Sequence, residues 1–151
     1  MPELRNVEAV KVLCLEDTGN LRELDRLYPD LKAFLDERGV PYNRERIGLI
    51  YDRGADPDRR HFAAALELRG EVNGDGERIV VLLPGGRVAC EIHRGGYENV
   101  DETYARLEAW LRDQGLRVTG PAREYYLEGF APTNGEHAVT EIHLPVETGE
   151  A

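Results

Sequence analysis

Residues 138–146 read A-V-T-E-I-H-L-P-V, and the fold follows from how this stretch is read. Strict alternation puts Ala138, Thr140, Ile142 and Leu144 on one face of a strand, and Val139, Glu141 and His143 on the other. One face suits a core, and the second carries a carboxylate in mid-strand. Pro145 closes the pattern, because proline cannot donate to a ladder. A solvated surface glutamate is the ordinary reading of such a position. An earlier stretch, H-F-A-A-A-L-E-L-R at 61–69, changes it, because Glu67 there matches Glu141 at a shift of 74 residues.

Upstream of the closing strand, E-Y-Y-L-E (124–128) is a strand and G-F-A-P-T-N-G-E-H (129–137) a loop. Val100, Tyr104, Leu107, Trp110 and Leu111 mark an amphipathic helix, with Asn99 and Glu102 as a possible cap and Gly115 at its end. I-V-V-L-L (79–83) is a strand, P-G-G a turn, and R-V-A-C-E-I-H (87–93) its partner. The first half reads alike. A short strand piece and a turn near residues 6–9 lead into V-K-V-L-C-L-E (10–16). Asn20 and Glu23 then cap a helix carrying Leu21, Leu24, Leu27, Leu31, Phe34 and Leu35, ended by Gly39. Pro29 falls inside it and is expected to kink or restart it. R-I-G-L-I-Y-D (46–52) is a strand, G-A-D-P-D-R-R (54–60) a loop, and 61–69 the next strand.

A shift of 76 residues pairs Val12, Cys14, Gly19, Asp25, Tyr28, Leu31, Ala33, Leu35 and Gly39 with identical residues from Val88 to Gly115. Chance gives roughly two such identities over segments of this length. A shift of 75 then matches Tyr51 to Tyr126. The chain is therefore read as one α+β domain over 1–151, built from a duplicated β-α-β-β module: repeat 1 about 2–72, repeat 2 about 78–147. Each half has one helix for one sheet face and too little apolar surface to stand alone. Pairing them gives an antiparallel sheet backed by two helices about a pseudo-two-fold axis, with a central ligand groove between the halves.

The chain has 151 residues, 41% hydrophobic and 32% charged, with a net charge of −10. That charge argues against direct nucleic-acid binding, which needs basic surface. No apolar run approaches a membrane span, and two cysteines make no secreted disulfide framework, so a cytoplasmic protein is expected. The sequence has no nucleotide fingerprint, phosphate-cradling loop or nucleophile elbow, and no cofactor is expected. Nor is a metal: alternation sends Cys90 and His93 to opposite faces, and buried structural thiols fit Cys14 and Cys90 better.

The run L-P-G-G-R-V-A-C-E-I-H-R-G-G-Y-E-N-V-D-E-T-Y-A-R-L-E-A-W-L, then G-P-A-R-E-Y-Y-L, then T-E-I-H-L-P-V, resembles the GyrI-like family. Effector-binding domains of this kind also occur at the C-terminus of some AraC- and MerR-type regulators. The resemblance covers about residues 80–147; the first half fits loosely through D-T-G, L-x-x-F-L and I-Y-D. It implies a pocket between two β-α-β-β modules for small aromatic or cationic molecules. It also implies that the closing-strand Glu141, the strand aromatic Tyr126 and the helix aromatic Trp110 line that pocket.

From the residues and the resemblance together, the expected ligand-binding set is Glu141, Tyr126, Trp110, Tyr51, Glu67, Phe34 and Tyr97. Trp110 and Phe34 hold matching helix positions, as pocket wall or core. Tyr97 sits at a pocket rim or staples the helix start, and Tyr28, Tyr104 and Tyr125 are expected in the core. The first functional reading is a stand-alone protein binding a small hydrophobic or cationic ligand, with Glu141 as central carboxylate. The alternative is a hydrolase of strained electrophilic molecules, with Glu141 as general base and Tyr126 as proton donor. A third is a gyrase-inhibitor-like role with gyrase or a regulator as protein partner.

Overall fold

The computed structural model describes residues 1–52, 56–130, 132 and 134–149, with backbone alone at 134–136. Within the expected loops, Gly54, Ala55, Ala131 and Thr133 lie outside these residues. The elements run β1 (Glu3–Val7), β2 (Val10–Gly19), α1 (Leu24–Glu37), β3 (Ile47–Asp52), β4 (Arg60–Glu67), β5 (Arg78–Leu83), β6 (Gly86–Arg94), α2 (Val100–Asp113), β7 (Leu116–Val118), β8 (Ala122–Phe130) and β9 (Asn134–Thr148). None of the helices is long and apolar enough to cross a membrane.

Asn20 does cap, but it caps a 3-10 turn at Leu21–Glu23 that leads into α1, accepting from the Arg22 N–H at 3.0 Å. Pro29 leaves α1 unbroken. Its side is exposed to solvent, so water can serve the carbonyl that its missing N–H leaves free. Gly39 (φ 64°) and Gly115 (φ 69°) end the two helices in the left-handed region, as expected of C-terminal glycines.

The sheet is antiparallel in the order β1-β6-β9-β8-β3-β4-β2-β5, with the short β7 added on β9. The repeats are β2-α1-β3-β4 and β6-α2-β8-β9, and they meet at a β3–β8 seam. At the seam Gly48 pairs with Glu124, residues related by the same 76-residue shift that relates the repeats, so the pseudo-two-fold passes through this pair.

The expected β5–β6 hairpin does not form. β5 pairs with β2 of the other repeat, and β6 with β1 and β9. The partners of Glu3, Val7, Val10 and Leu15 are Cys90, Gly86, Leu83 and Arg78, a single register throughout. Residues 3–15 and 78–90 therefore form one long two-stranded ribbon, bent where the links Glu8-Ala9 and Pro84-Gly85 cross. In a flat sheet β1 and β2 would lie six strands apart, about 29 Å. Their two-residue link spans at most about 11 Å. The sheet must curl until its two edges meet in the ribbon.

The curl gives the sheet two different faces. Both helices pack on one, over a core that includes Leu13, Tyr28, Leu31, Phe62, Leu66, Tyr104, Leu107 and Ile142. The face inside the curl has a smaller core of Val12, Cys14, Ile47, Leu49, Ala63, Ala65 and Leu83. Burial pushes the thiol of Cys14 up to about 12 and that of Cys90 up to about 11, in keeping with structural cysteines.

The crossing links touch backbone to backbone: a Cβ on Gly85 would lie 2.8 Å from the Ala9 nitrogen and 2.9 Å from the Val7 oxygen. Gly85→Ala is therefore expected to cost about 1–3 kcal/mol in urea unfolding.

Candidate functional site

The side chain that the seam and α2 converge on is Glu124 of β8. It is 1% exposed, with Tyr126 two residues along the same face. Three phenols donate to its carboxylate. Tyr126 Oη reaches Oε1 at 2.9 Å, Tyr104 Oη reaches Oε2 at 2.5 Å, and Tyr97 Oη also bonds Oε1. Tyr104 comes from α2, and Tyr97 from the 3-10 turn at Tyr97–Asn99 that precedes it. An ionised carboxylate accepts about four hydrogen bonds, so three phenols fit its capacity. Burial, with the adjoining Glu124 charge, raises the Tyr126 hydroxyl well above its usual range, so it stays a donor.

The first repeat shapes this site by what it lacks. Gly48 holds the position equivalent to Glu124, and a Cβ there would lie 2.5 Å from Tyr126 Oη. Ile50 is two residues along β3 as Tyr126 is along β8, and Leu21 stands where the second repeat has Tyr97. Tyr28, the counterpart of Tyr104, donates to the Ile47 carbonyl at 2.5 Å instead. Phe130 packs edge-on against both Tyr126 (4.6 Å) and Tyr28 (6.0 Å). Beside Tyr104 a groove of about 360 Å³ opens along the seam, lined by Ile50, Tyr51, Ala122, Val118, Pro121 and Leu144.

The expected residues separate into those gathered here and those placed elsewhere. Tyr126 and Tyr97 are in the cluster, and Tyr51 lines the neighbouring groove. Glu141 is on the opposite face, inside the curl, where Arg5 Nη1 and His143 Nε2 each lie 2.6 Å from its Oε1. Its parity is the reason: Thr140 and Ile142 take the helix side, so Glu141 cannot. Glu67 bonds Asn43. Nor is Glu67 the counterpart of Glu141. Val12 pairs with Glu67 as Val88 pairs with Pro145, and Glu16 pairs with Ala63 as Ile92 pairs with Glu141. Likewise the structural counterpart of Tyr126 is Ile50, not Tyr51. Phe34 is buried core, with the Arg38 guanidinium 3.6 Å over its ring. Trp110 is half-buried against the helix-side core. Tyr104, expected only as core, is buried and polar-bonded at the site.

Glu124 itself was not singled out from sequence. The available signal was its alternation with Tyr126 and the glycine that faces it at position 48.

Cys90 and His93 do lie on opposite faces, but His143 is the strand partner of Cys90. Cys90, Glu141 and His143 bring three donor atoms within 4.8 Å of one another. The Arg5 guanidinium already neutralises Glu141, so these residues are a polar network tying β1 to β9. Burial lowers the His143 pKa against the opposing pull of Glu141. Burial raises that of Glu141, but His143 and Arg5 outweigh it and the net shift is downward. Neutral His143 then donates from Nε2 to the carboxylate, leaving Nδ1 buried without a partner.

The model of the GyrI-like family, described as a small molecule binding domain, matches residues 1–147. Among curated proteins none matches the chain. Among solved structures, the C-terminal domain of EcmrR superposes with a TM-score of 0.85 at 19% identity, covering 98% of both chains. In the complex of EcmrR with DNA, this chain spans 57% of the EcmrR chain (TM-score 0.84, 19% identity). A hydrolase from Listeria innocua gives 0.71 at 16% identity, covering 97% of this chain and 91% of that one. SAV2435 bound to tetraphenylphosphonium gives 0.57 at 16% identity, with 97% and 98% covered. At these identities the likeness is one of fold.

Two outcomes follow from the geometry. Gly48→Ala is expected to cost about 1–3 kcal/mol. Tyr126→Phe should restore much of that loss in a double-mutant cycle, because it removes the oxygen that the new methyl strikes. The lowered pKa of His143 means that the unfolded chain takes up a proton first as pH falls below the ordinary 6.5. Urea unfolding should therefore show less stability at pH 5.5 than at pH 7.5, and His143→Gln should flatten that difference.

Proposed function

Because the chain belongs to the GyrI-like small molecule binding domain family, we propose that it binds a lipophilic cation in the seam groove beside Tyr104, with Glu124 as counter-charge. The observation that carries this reading is the buried Glu124 carboxylate ringed by Tyr97, Tyr104 and Tyr126. A carboxylate supplies the charge, and phenol rings supply π faces for a large, weakly hydrated cation. Glu124 is sealed beneath the phenols. Tyr97 is the half-buried one of the three, so it is the gate that swings aside to admit a ligand. Tetraphenylphosphonium, held by the similarly folded SAV2435, is the natural probe. This reading moves the central carboxylate expected at Glu141 to Glu124.

Calorimetric titration with tetraphenylphosphonium tests it. Loss of a buried counter-charge should weaken binding roughly tenfold or more in Glu124→Gln. Glu141→Gln should bind like the wild type. Equal loss in both variants, or in neither, rejects Glu124 as the binding carboxylate.

A hydrolytic reading has one observation in its favour. Tyr97 and Tyr126 both share Oε1 of Glu124, with the two hydroxyls 3.3 Å apart. Such a carboxylate–phenol set can take a proton from water and give one to a leaving oxygen. Mass spectrometry of strained-ring electrophiles incubated with wild type and Glu124→Gln separates turnover from binding. Hydrated product from the wild type alone favours the enzyme.

A further inference from the structure

Arg123 precedes Glu124 on β8, so its side chain points to the other face of the seam. There it is 3% exposed and donates from Nη2 to the Pro84 carbonyl at 3.0 Å, reaching from the seam to the crossing links. It also hydrogen-bonds the nearby Tyr125 hydroxyl. Among the described residues no carboxylate pairs with it. None of its nitrogens is both sealed and without a hydrogen bond, so those that Pro84 and Tyr125 leave free open on the adjoining space. That space is a cavity of about 420 Å³ enclosed by the curl, walled by Leu49, Leu83, Pro84, Val88, Pro121 and Pro145. Its size falls within the roughly 300–1,000 Å³ of small-molecule sites.

The charges at its rim point the same way. Arg87 lies there and, among the described residues, donates to the Thr148 hydroxyl at 3.2 Å with no carboxylate partner. Glu147, the one carboxylate of the lining among the described residues, is already held by Arg117. A buried guanidinium without a carboxylate is costly, and its flat fork of donors matches a carboxylate bidentately. Apolar walls around that fork select an acid with a hydrophobic body. We propose that this cavity is a second binding site, for a small hydrophobic carboxylate whose head group pairs with Arg123. Its Arg123 head-group position lies across the sheet from Glu124 and rests on no reading of that site, while its wall at Tyr51, Gly120 and Pro121 is shared with the groove beside Tyr104.

The test is an amide-shift NMR titration of the full chain with octanoate, 2-naphthoate and 1-octanol, in wild type and in Arg123→Met. An acid is expected to move the amides of Leu49, Leu83 and Val88 while leaving Tyr97 and Tyr104 in place. It should bind roughly tenfold or more tighter than the alcohol, the advantage of a charge-assisted hydrogen bond. Arg123→Met should reduce the acid to the affinity of the alcohol. Preference for octanoate assigns an alkyl body and preference for naphthoate an aryl one. Equal affinity for acid and alcohol in the wild type overturns the proposal, as does shift confined to the tyrosine cluster or no binding by either acid. If Arg123→Met fails to fold, the wild-type acid–alcohol comparison and its shift map decide alone.

Discussion

Two links of two residues each, Glu8-Ala9 and Pro84-Gly85, constrain everything else in this molecule. Each joins strands that hydrogen-bond at opposite ends of the strand order, and a flat sheet would put those strands far beyond the reach of the link. The sheet has to curl, and the ribbon of residues 3–15 and 78–90 is where its two ends meet. The curl leaves β1 and β5, each paired on one side, as the edges of the strand order. It also gives the sheet an inside and an outside with separate cores, only one of which needs helices to cover it.

The seam strand β8 serves both sides at once. Its period of two aims Arg123 into the curl and Glu124 toward the helices, and both charges are buried. Desolvating either alone is unfavourable, and each has local compensation: phenol donors around Glu124, and a backbone carbonyl at Arg123. The polar site belongs almost wholly to the second repeat. The first contributes room, through Gly48, and apolar wall, through Ile50 and Leu21.

Most of the architecture was legible because alternation and helical spacing report local burial. The nine identities at a fixed shift exposed the duplication, and Gly39 and Gly115 marked both helix ends. Pairing partners were harder. L-P-G-G-R between two apolar runs looks like a hairpin, and nothing in the alternation of β5 says that it pairs with β2 rather than β6. The three residues of β7 are too few to show a period. The site was half legible. Of the proposed cluster, Tyr126 and Tyr97 were named, while the carboxylate was sought in β9, whose mid-strand glutamate stands out against apolar neighbours. Glu124 lies among E-Y-Y-L-E, where a terminal-looking acid reads as solvated. Matching Glu67 to Glu141 relied on a drifting shift that the strand register does not follow.

The exchanged edge strands also say something about ancestry. A protein made of one such module, with its first strand paired to a second copy, would be a strand-swapped homodimer with a true two-fold axis through its seam. On that axis every residue faces itself. A glutamate at the position of Gly48 and Glu124 would set two buried carboxylates against each other, and only one could readily keep its charge. Fusion of the two copies into one chain removes that restriction. Here one side is glycine and the other glutamate, and the space beside the glycine holds the Tyr126 hydroxyl that bonds the glutamate. Broken symmetry, available only to a covalently joined pair, is what lets a single carboxylate occupy the middle of the molecule.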